Sequence, residues 1–131
     1  MENKKLKVAI SHGDINGIGY EILLKTFTEA SILDLFTPVI YGSAKVAAYY
    51  RKTLELELES WHQVSSAAEA VEGRVNLVNC VPEDAKVEMG VCSPQAGAYA
   101  AMALSMAVQA VKQGDADVLV TMPINKAAMP Q

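Results

Sequence analysis

Seven residues near the N-terminus, Gly13-Asp14-Ile15-Asn16-Gly17-Ile18-Gly19, join three glycines to two short polar side chains. Glycine has no β-carbon, so such a segment can turn tightly and bring its backbone close to another group. Where a helix begins directly afterwards, the unpaired N–H groups and partial positive field of its first turn suit an anion. Asp14, Asn16, Gly17 and Gly19 are therefore candidates for the wall of a substrate or cofactor pocket. The plainer alternative, that the glycines only let the chain turn into a helix, stays open. The spacing is neither G-x-G-x-x-G nor a P-loop ending in Gly-Lys-Ser/Thr, which disfavours a dinucleotide fingerprint here. The next apolar run ends in Val39-Ile40-Tyr41-Gly42-Ser43 and offers no acidic residue to hold a ribose.

A second group, Thr121-Met122-Pro123-Ile124-Asn125-Lys126, follows the apolar run DVLV. At the carboxyl end of a strand, where open α/β sheets place ligands, Lys126 can present its charge to a phosphate or carboxylate. Thr121 and Asn125 can donate hydrogen bonds beside it. An exposed lysine after a helix cap is the competing reading. His12 and His62 have no Cys, His or carboxylate at ligand spacing, so each is expected to be structural and no metal site is expected wholly inside the chain. There is no G-x-S-x-G elbow, and Cys80 and Cys92 have no identifiable base nearby in sequence. No catalytic residue is assigned within the chain.

The elements that must position these groups follow from periodicity. Residues 6–11 read as a buried strand, and Tyr20, Leu23, Leu24 and Phe27 recur at helical spacing after the glycines. A second strand spans 37–42, and Ser43 caps a helix carrying Val46, Tyr49, Tyr50 and Leu54 on one side. Leu and Glu alternate over 54–59, which predicts a half-exposed strand, a helical extension being the alternative. Residues 74–81 form the next strand, and 82–92 a Pro/Gly-containing excursion. Ser93-Pro94 starts the longest helix and Gly114 at C′ stops it. Its predicted apolar stripe is Gly97, Ala100, Ala101, Leu104, Ala107, Val108 and Val111, and its small N-terminal half is expected to be buried on several sides. A last strand covers 117–122, after which Asn125 can cap a further helix. The alternation predicts an α/β fold with a largely parallel sheet, flanking helices and right-handed crossovers.

Composition narrows the function classes. The chain has 131 residues, 51% of them hydrophobic and 20% charged, which is enough for one domain with a real core. A net charge of -4 without clustered Lys and Arg argues against a nucleic-acid partner. The basic stretch Met1–Lys7 is followed by no apolar h-region, and no span approaches the roughly 20 apolar residues of a membrane helix. Two cysteines are too few for a disulfide framework, so reduced thiols and a cytoplasmic location are expected.

Taken together, the motifs point to a family. SHGDINGIGYE resembles the GDPxGIGPE signature of 4-hydroxythreonine-4-phosphate dehydrogenases, and GVCSPQAGAYAAMALSMAVQAVKQGDADVLVTMPINKAAM resembles that family's long central stretch with its T-x-P-x-x-K element. The resemblance spans nearly the whole chain and is weakest from about residue 54 to 75. Ile15 and Tyr20 stand where the family commonly has prolines, while Gly13, Asp14, Gly17, Ile18, Gly19 and Glu21 are in place. The resemblance implies an isocitrate/isopropylmalate dehydrogenase-like fold, incomplete here, in a homodimeric enzyme. It also implies NAD and a divalent metal (Zn, Mg or Co) as cofactors, and a small phosphorylated hydroxy-amino acid, 4-phosphooxy-L-threonine, as substrate. That substrate would be oxidised and decarboxylated on the way to pyridoxal phosphate, the metal polarising the reacting oxygen.

Proteins of the family are much longer, so residues 1–131 are expected to be an N-terminal portion and to be inactive alone. The family's Gly-His-Thr element and its metal-binding histidines would then lie beyond Gln131. Two alternatives stand beside this one. The first is a related hydroxy-acid dehydrogenase or phosphate acetyltransferase-like enzyme on the same fold; the second is a non-catalytic folding or dimerisation module.

Overall fold

The computed structural model describes residues 5–128. Five strands form one sheet in the order β3-β4-β2-β1-β5, and every neighbouring pair is parallel. They are β1 (Leu6–Ser11), β2 (Phe36–Gly42), β3 (His62–Gln63), β4 (Asn76–Asn79) and β5 (Val118–Thr121). Three helices alternate with them: α1 (Gly19–Thr26), α2 (Ala44–Thr53) and α3 (Pro94–Lys112). The α/β fold with a parallel sheet is thus the observed architecture.

Side chains on a strand alternate between faces, and here both faces are apolar because both are covered. Ile10, Ile40 and Leu77 join Leu23 and Leu24 of α1 and Val46 and Tyr50 of α2 in one core. Ala9, Val39 and Val78 join Ala103, Ala107 and Ala110 of α3 in the other. Register keeps these layers aligned, Ala9 lying opposite Val39 and Ile10 opposite Ile40. Among the described residues no helix is long and apolar enough to cross a membrane.

Helix ends follow the chemistry of their residues. The Ser43 hydroxyl accepts from the Val46 N–H at 3.1 Å and the Ser93 hydroxyl from the Ala96 N–H at 3.3 Å, with Pro94 at the first helical position. Gly114 has φ +82°, the left-handed conformation a C′ glycine supplies.

Two expectations are corrected. Residues 54–59 pair with no strand. Glu55, at φ 55°, ends α2 in a Schellman arrangement, with Leu56 N–H donating to Arg51 O at 2.9 Å and Glu55 N–H to Lys52 O at 3.1 Å. Beyond it Leu56 and Leu58 still point inward and the glutamates outward, so the alternation is real but reflects an extended segment lying on the α1/α2 core. The edge strand forms only at His62–Gln63. On α3 the buried row is Ala96, Ala100, Ala103, Ala107 and Ala110, whereas Leu104, Val108 and Val111 are only half-buried flanks. A row of alanines lets the helix axis approach the sheet closely, and the larger residues then fill the sides. In its N-terminal half Ala96, Gly97, Tyr99, Ala100 and Ala103 are buried, while Ala98 and Met102 face outward.

Candidate functional site

Strands β1 and β5 lie side by side, with Ser11 opposite Thr121, so the two sequence segments singled out above emerge together at the carboxyl edge of the sheet. The connection after β1 passes to the α1/α2 face, whereas β5 is entered from α3 on the opposite face. Adjacent strands served from opposite faces leave a crevice at their carboxyl ends, the usual place for a ligand in an open α/β sheet.

Backbone contacts join the two turns. Asp14 N–H donates to Pro123 O at 3.0 Å, and Met122 N–H donates to Ser11 O at 3.0 Å. Gly13 has φ +71°, and a β-carbon there would run into the Pro123 carbonyl and lie 2.8 Å from Met122 O. A β-carbon at Gly19 would lie 2.7 Å from His12 O and 3.1 Å from Met122 Cβ, so Gly19 is required for close approach. Gly17 has no such constraint, its nearest neighbour being Asp14 O at 3.5 Å. The strictest glycine of the turn is therefore Gly13, whose positive φ no residue pattern announced.

The polar candidates take different places. Asp14, half-buried, accepts the Asn16 N–H on Oδ1 at 3.0 Å and the Gly17 N–H on its carbonyl at 3.0 Å, shaping the turn. Asn16 is turned inward. Its Nδ2 donates to Val91 O at 3.1 Å, its Oδ1 accepts from Glu88 N–H at 2.7 Å, and its carbonyl accepts from Gly90 N–H at 2.8 Å. That side chain pins the 82–92 excursion to the turn. Thr121 and Lys126 are exposed beside the crevice. Asn125 caps a single turn, its Oδ1 accepting Ala127 N–H at 3.1 Å, and that turn is seated by Gly97, where a β-carbon would collide with the Ala128 carbonyl. Ile18, the residue before α1, has no capping side chain, so no side chain at the N-cap offsets the partial positive field of the first turn.

Beneath the turn lies a buried polar relay that periodicity did not reveal. His12 Nδ1 is 2.6 Å from the Tyr20 hydroxyl, His12 Nε2 is 3.3 Å from Tyr99 O, and the Tyr20 hydroxyl accepts Ser43 N–H at 2.9 Å. Burial lowers the His12 pKa to about 4, and the Tyr99 carbonyl opposes this only in part. Burial likewise drives the Tyr20 phenol well above its ordinary value. Tyr50 donates to Ile15 O at 2.5 Å, and its own pKa is pushed up to about 12, chiefly by burial. The available signal was chemical: a tyrosine read as core must still place its hydroxyl on a partner.

The two histidines do not come together. Both nitrogens of His12 are engaged, and His62 sits on β3 at the far sheet edge, three strand spacings or roughly 14 Å away. Among the described residues no group of three His, Cys, Asp or Glu side chains converges. A cavity of about 580 Å³ opens at the carboxyl ends of β2 and β4, between Lys45, Arg51, Trp61, Gln63 and Asn79, and none of the candidate residues lines it.

Comparison with known proteins matches this arrangement to a family. The profile described as pyridoxal phosphate biosynthetic protein PdxA matches residues 34–131. A 4-hydroxythreonine-4-phosphate dehydrogenase of Bacteroides thetaiotaomicron is 47% identical over 126 residues, covering 96% of this chain and 34% of the relative. The crystal structure of a 4-hydroxythreonine-4-phosphate dehydrogenase from Burkholderia phymatum superimposes with TM-score 0.84 at 27% identity, covering 96% of this chain and 38% of that one. A terephthalate 1,2-cis-dihydrodiol dehydrogenase structure from Burkholderia xenovorans superimposes with TM-score 0.70 at 28% identity, over 95% of this chain and 36% of that one. The chain spans about a third of the length of such relatives. With the profile matching everything from before β2 to the end of the chain, and the parallel sheet shared with solved relatives, the chain belongs to the PdxA family of pyridoxal phosphate biosynthetic proteins.

Proposed function

We propose that residues 1–131 act as the N-terminal portion of an NAD-dependent, divalent-metal-assisted dehydrogenase. In a chain of its relatives' length it oxidises and decarboxylates 4-phosphooxy-L-threonine for pyridoxal phosphate synthesis. The joined turns after β1 and β5 carry this reading, because they bring the two motif-bearing segments to one crevice beside an uncapped helix start. Backbone N–H groups at the start of α1, with Lys126, Thr121 and Asn125 across the crevice, suit the phosphate or carboxylate of such a substrate. The open cavity beside α2 is set aside as the reaction site because it is remote from both motifs.

Cofactor and metal ligands come from outside the described residues in this reading, and the working unit is a cytoplasmic homodimer. When bound, the metal supplies Lewis acidity to the reacting oxygen; residues of this chain shape the wall and hold the anionic group. The test follows NADH formation from 4-phosphooxy-L-threonine by the 131-residue chain and by a longer gene product carrying it, with and without a chelator. Chelator-sensitive turnover by the longer product alone is expected. Turnover by the 131-residue chain would place the active site within these residues, and no turnover by either would refute the assignment of substrate.

A further inference from the structure

Tyr20 is buried to 0% exposure, and its ring lies parallel to Tyr50 with centroids 5.6 Å apart and to Trp61 at 6.3 Å. Phenylalanine would fill that space equally well, so the hydroxyl is what needs an explanation. The Tyr99 carbonyl can only accept a hydrogen bond, which places the His12 proton on Nε2 and makes Nδ1 an acceptor. The Tyr20 hydroxyl therefore donates to Nδ1 while accepting the Ser43 N–H. One directed chain of bonds runs from the start of α2, through Tyr20 of α1 and the residue that follows β1, to the N-terminal half of α3. Gly42 leaves room for it, since a β-carbon there would lie 2.5 Å from the Tyr20 hydroxyl and 2.9 Å from His12 Nδ1.

His12 is also where the turn begins. Its N–H donates to Tyr41 O at 3.0 Å, its carbonyl lies against Gly19, and two residues later Asp14 N–H holds Pro123 O. We propose that Tyr20 is a positioning residue. Through its hydroxyl it fixes the His12 ring and so holds the turn from His12 to Gly19 against Met122 and Pro123, in the geometry that binds the substrate's anionic group. The last clause rests on the function proposed above. Tyr20 itself touches no ligand. Phenylalanine at this position would leave Ser43 N–H and His12 Nδ1 buried without partners and free the ring to settle elsewhere.

The experiment compares Tyr20→Phe with Leu24→Ala in the gene product that carries this chain. Leu24 is buried on the same helix and takes no part in the relay, so its loss reports destabilisation alone. Amide hydrogen exchange is read at Asp14 and Met122, the donors that join the turns. Exchange at Asp14 is expected to rise about tenfold beyond the change in global stability in Tyr20→Phe and to track global stability in Leu24→Ala. KM for the phosphorylated hydroxy acid should rise about tenfold in Tyr20→Phe with kcat within about twofold, the pattern of lost uniform binding. The proposal is overturned if Tyr20→Phe changes Asp14 exchange and KM no more than Leu24→Ala does. If the unmutated protein does not oxidise this substrate, the proposed function fails, and the exchange at Asp14 still decides the role of Tyr20. Should Tyr20→Phe fail to accumulate, Gly42→Ala presses on the same hydroxyl and is read in the same way.

Discussion

Replacing Gly13 with alanine tests the joint between the two turns more directly than any other single change. Three effects contribute. A non-glycine residue in the left-handed region costs roughly 1–2 kcal/mol. The added β-carbon overlaps the Pro123 carbonyl and crowds Met122 O at 2.8 Å, so β5 and its turn must shift and the Asp14–Pro123 hydrogen bond is lost, at about 0.5–1.5 kcal/mol. Alanine recovers about 0.4–1 kcal/mol by restricting the unfolded chain. The expected net loss is about 2 kcal/mol. Gly73→Ala provides the internal reference: Gly73 has φ +80° with nothing within 4 Å of a β-carbon, so it carries the backbone penalty without the collision. Its expected cost is about 0.5–1 kcal/mol. Both variants are compared with the parent by urea titration, reading the midpoint at unchanged slope. Equal losses for Gly13→Ala and Gly73→Ala would show that the turns do not touch as described and would remove the crevice from the argument.

Three further outcomes are expected. Asn16→Ala leaves Glu88 N–H and Val91 O without their side-chain partner and should cost about 2–3 kcal/mol, with limited proteolysis accelerated within 82–92; unchanged cleavage there would refute the clamp. Glu55→Gly relieves a left-handed glutamate at the end of α2 and should stabilise by about 0.5–1 kcal/mol in the same urea assay, after allowing for the extra freedom glycine gives the unfolded chain; a loss would mean that Leu56 and Arg51 are not held as described. His12 is held neutral, its pKa lowered from 6.5 to about 4, so the unfolded chain binds more protons between those values. Its contribution, on the order of 3 kcal/mol, is therefore complete above pH 6.5 and is lost as pH falls toward 4. His12→Gln should flatten that part of the stability profile, and an unchanged profile would refute the assignment.

Strands and helices were legible where local chemistry and burial agree. The β1 span, the serine caps at Ser43 and Ser93 and the glycine stop at Gly114 all rest on neighbours within a few residues. Legibility failed where a distant partner decided the outcome. The Leu/Glu alternation at 54–59 is compatible with a strand, but the outer side of β4 pairs with His62–Gln63 and leaves it unpaired. The stripe on α3 was displaced in part because the sheet selects small residues for closest approach, and a periodicity weighted by hydrophobicity favours Leu104 and Val108 over Ala103 and Ala110. At the site, residue types announced a turn at Gly13–Gly19, yet Gly13's conformation is dictated by Pro123, more than a hundred residues later. Asn16 was read as a candidate for the pocket wall, and only the fold of 82–92 supplies the three backbone groups it binds.

The same long-range contacts explain how the two turns can be firmly joined while, among the described residues, no group of three His, Cys, Asp or Glu side chains converges beside them. A catalytic histidine needs one ring nitrogen directed at substrate or metal. His12 stands at the right end of β1, but both its nitrogens lie in the relay beneath the turn, and desolvation keeps the ring uncharged. Asn16 is similarly occupied, and the Asp14 Oδ1 atom is bonded to its own turn. The polar side chains of the first turn, Asp14 and Asn16, thus act on the backbone, and α1 begins beside them without a side-chain cap. Backbone N–H groups at a helix start can orient an anion without changing protonation state, which suits a binding wall better than a proton-transfer centre. On the function proposed above, this wall holds the phosphate or carboxylate of the substrate.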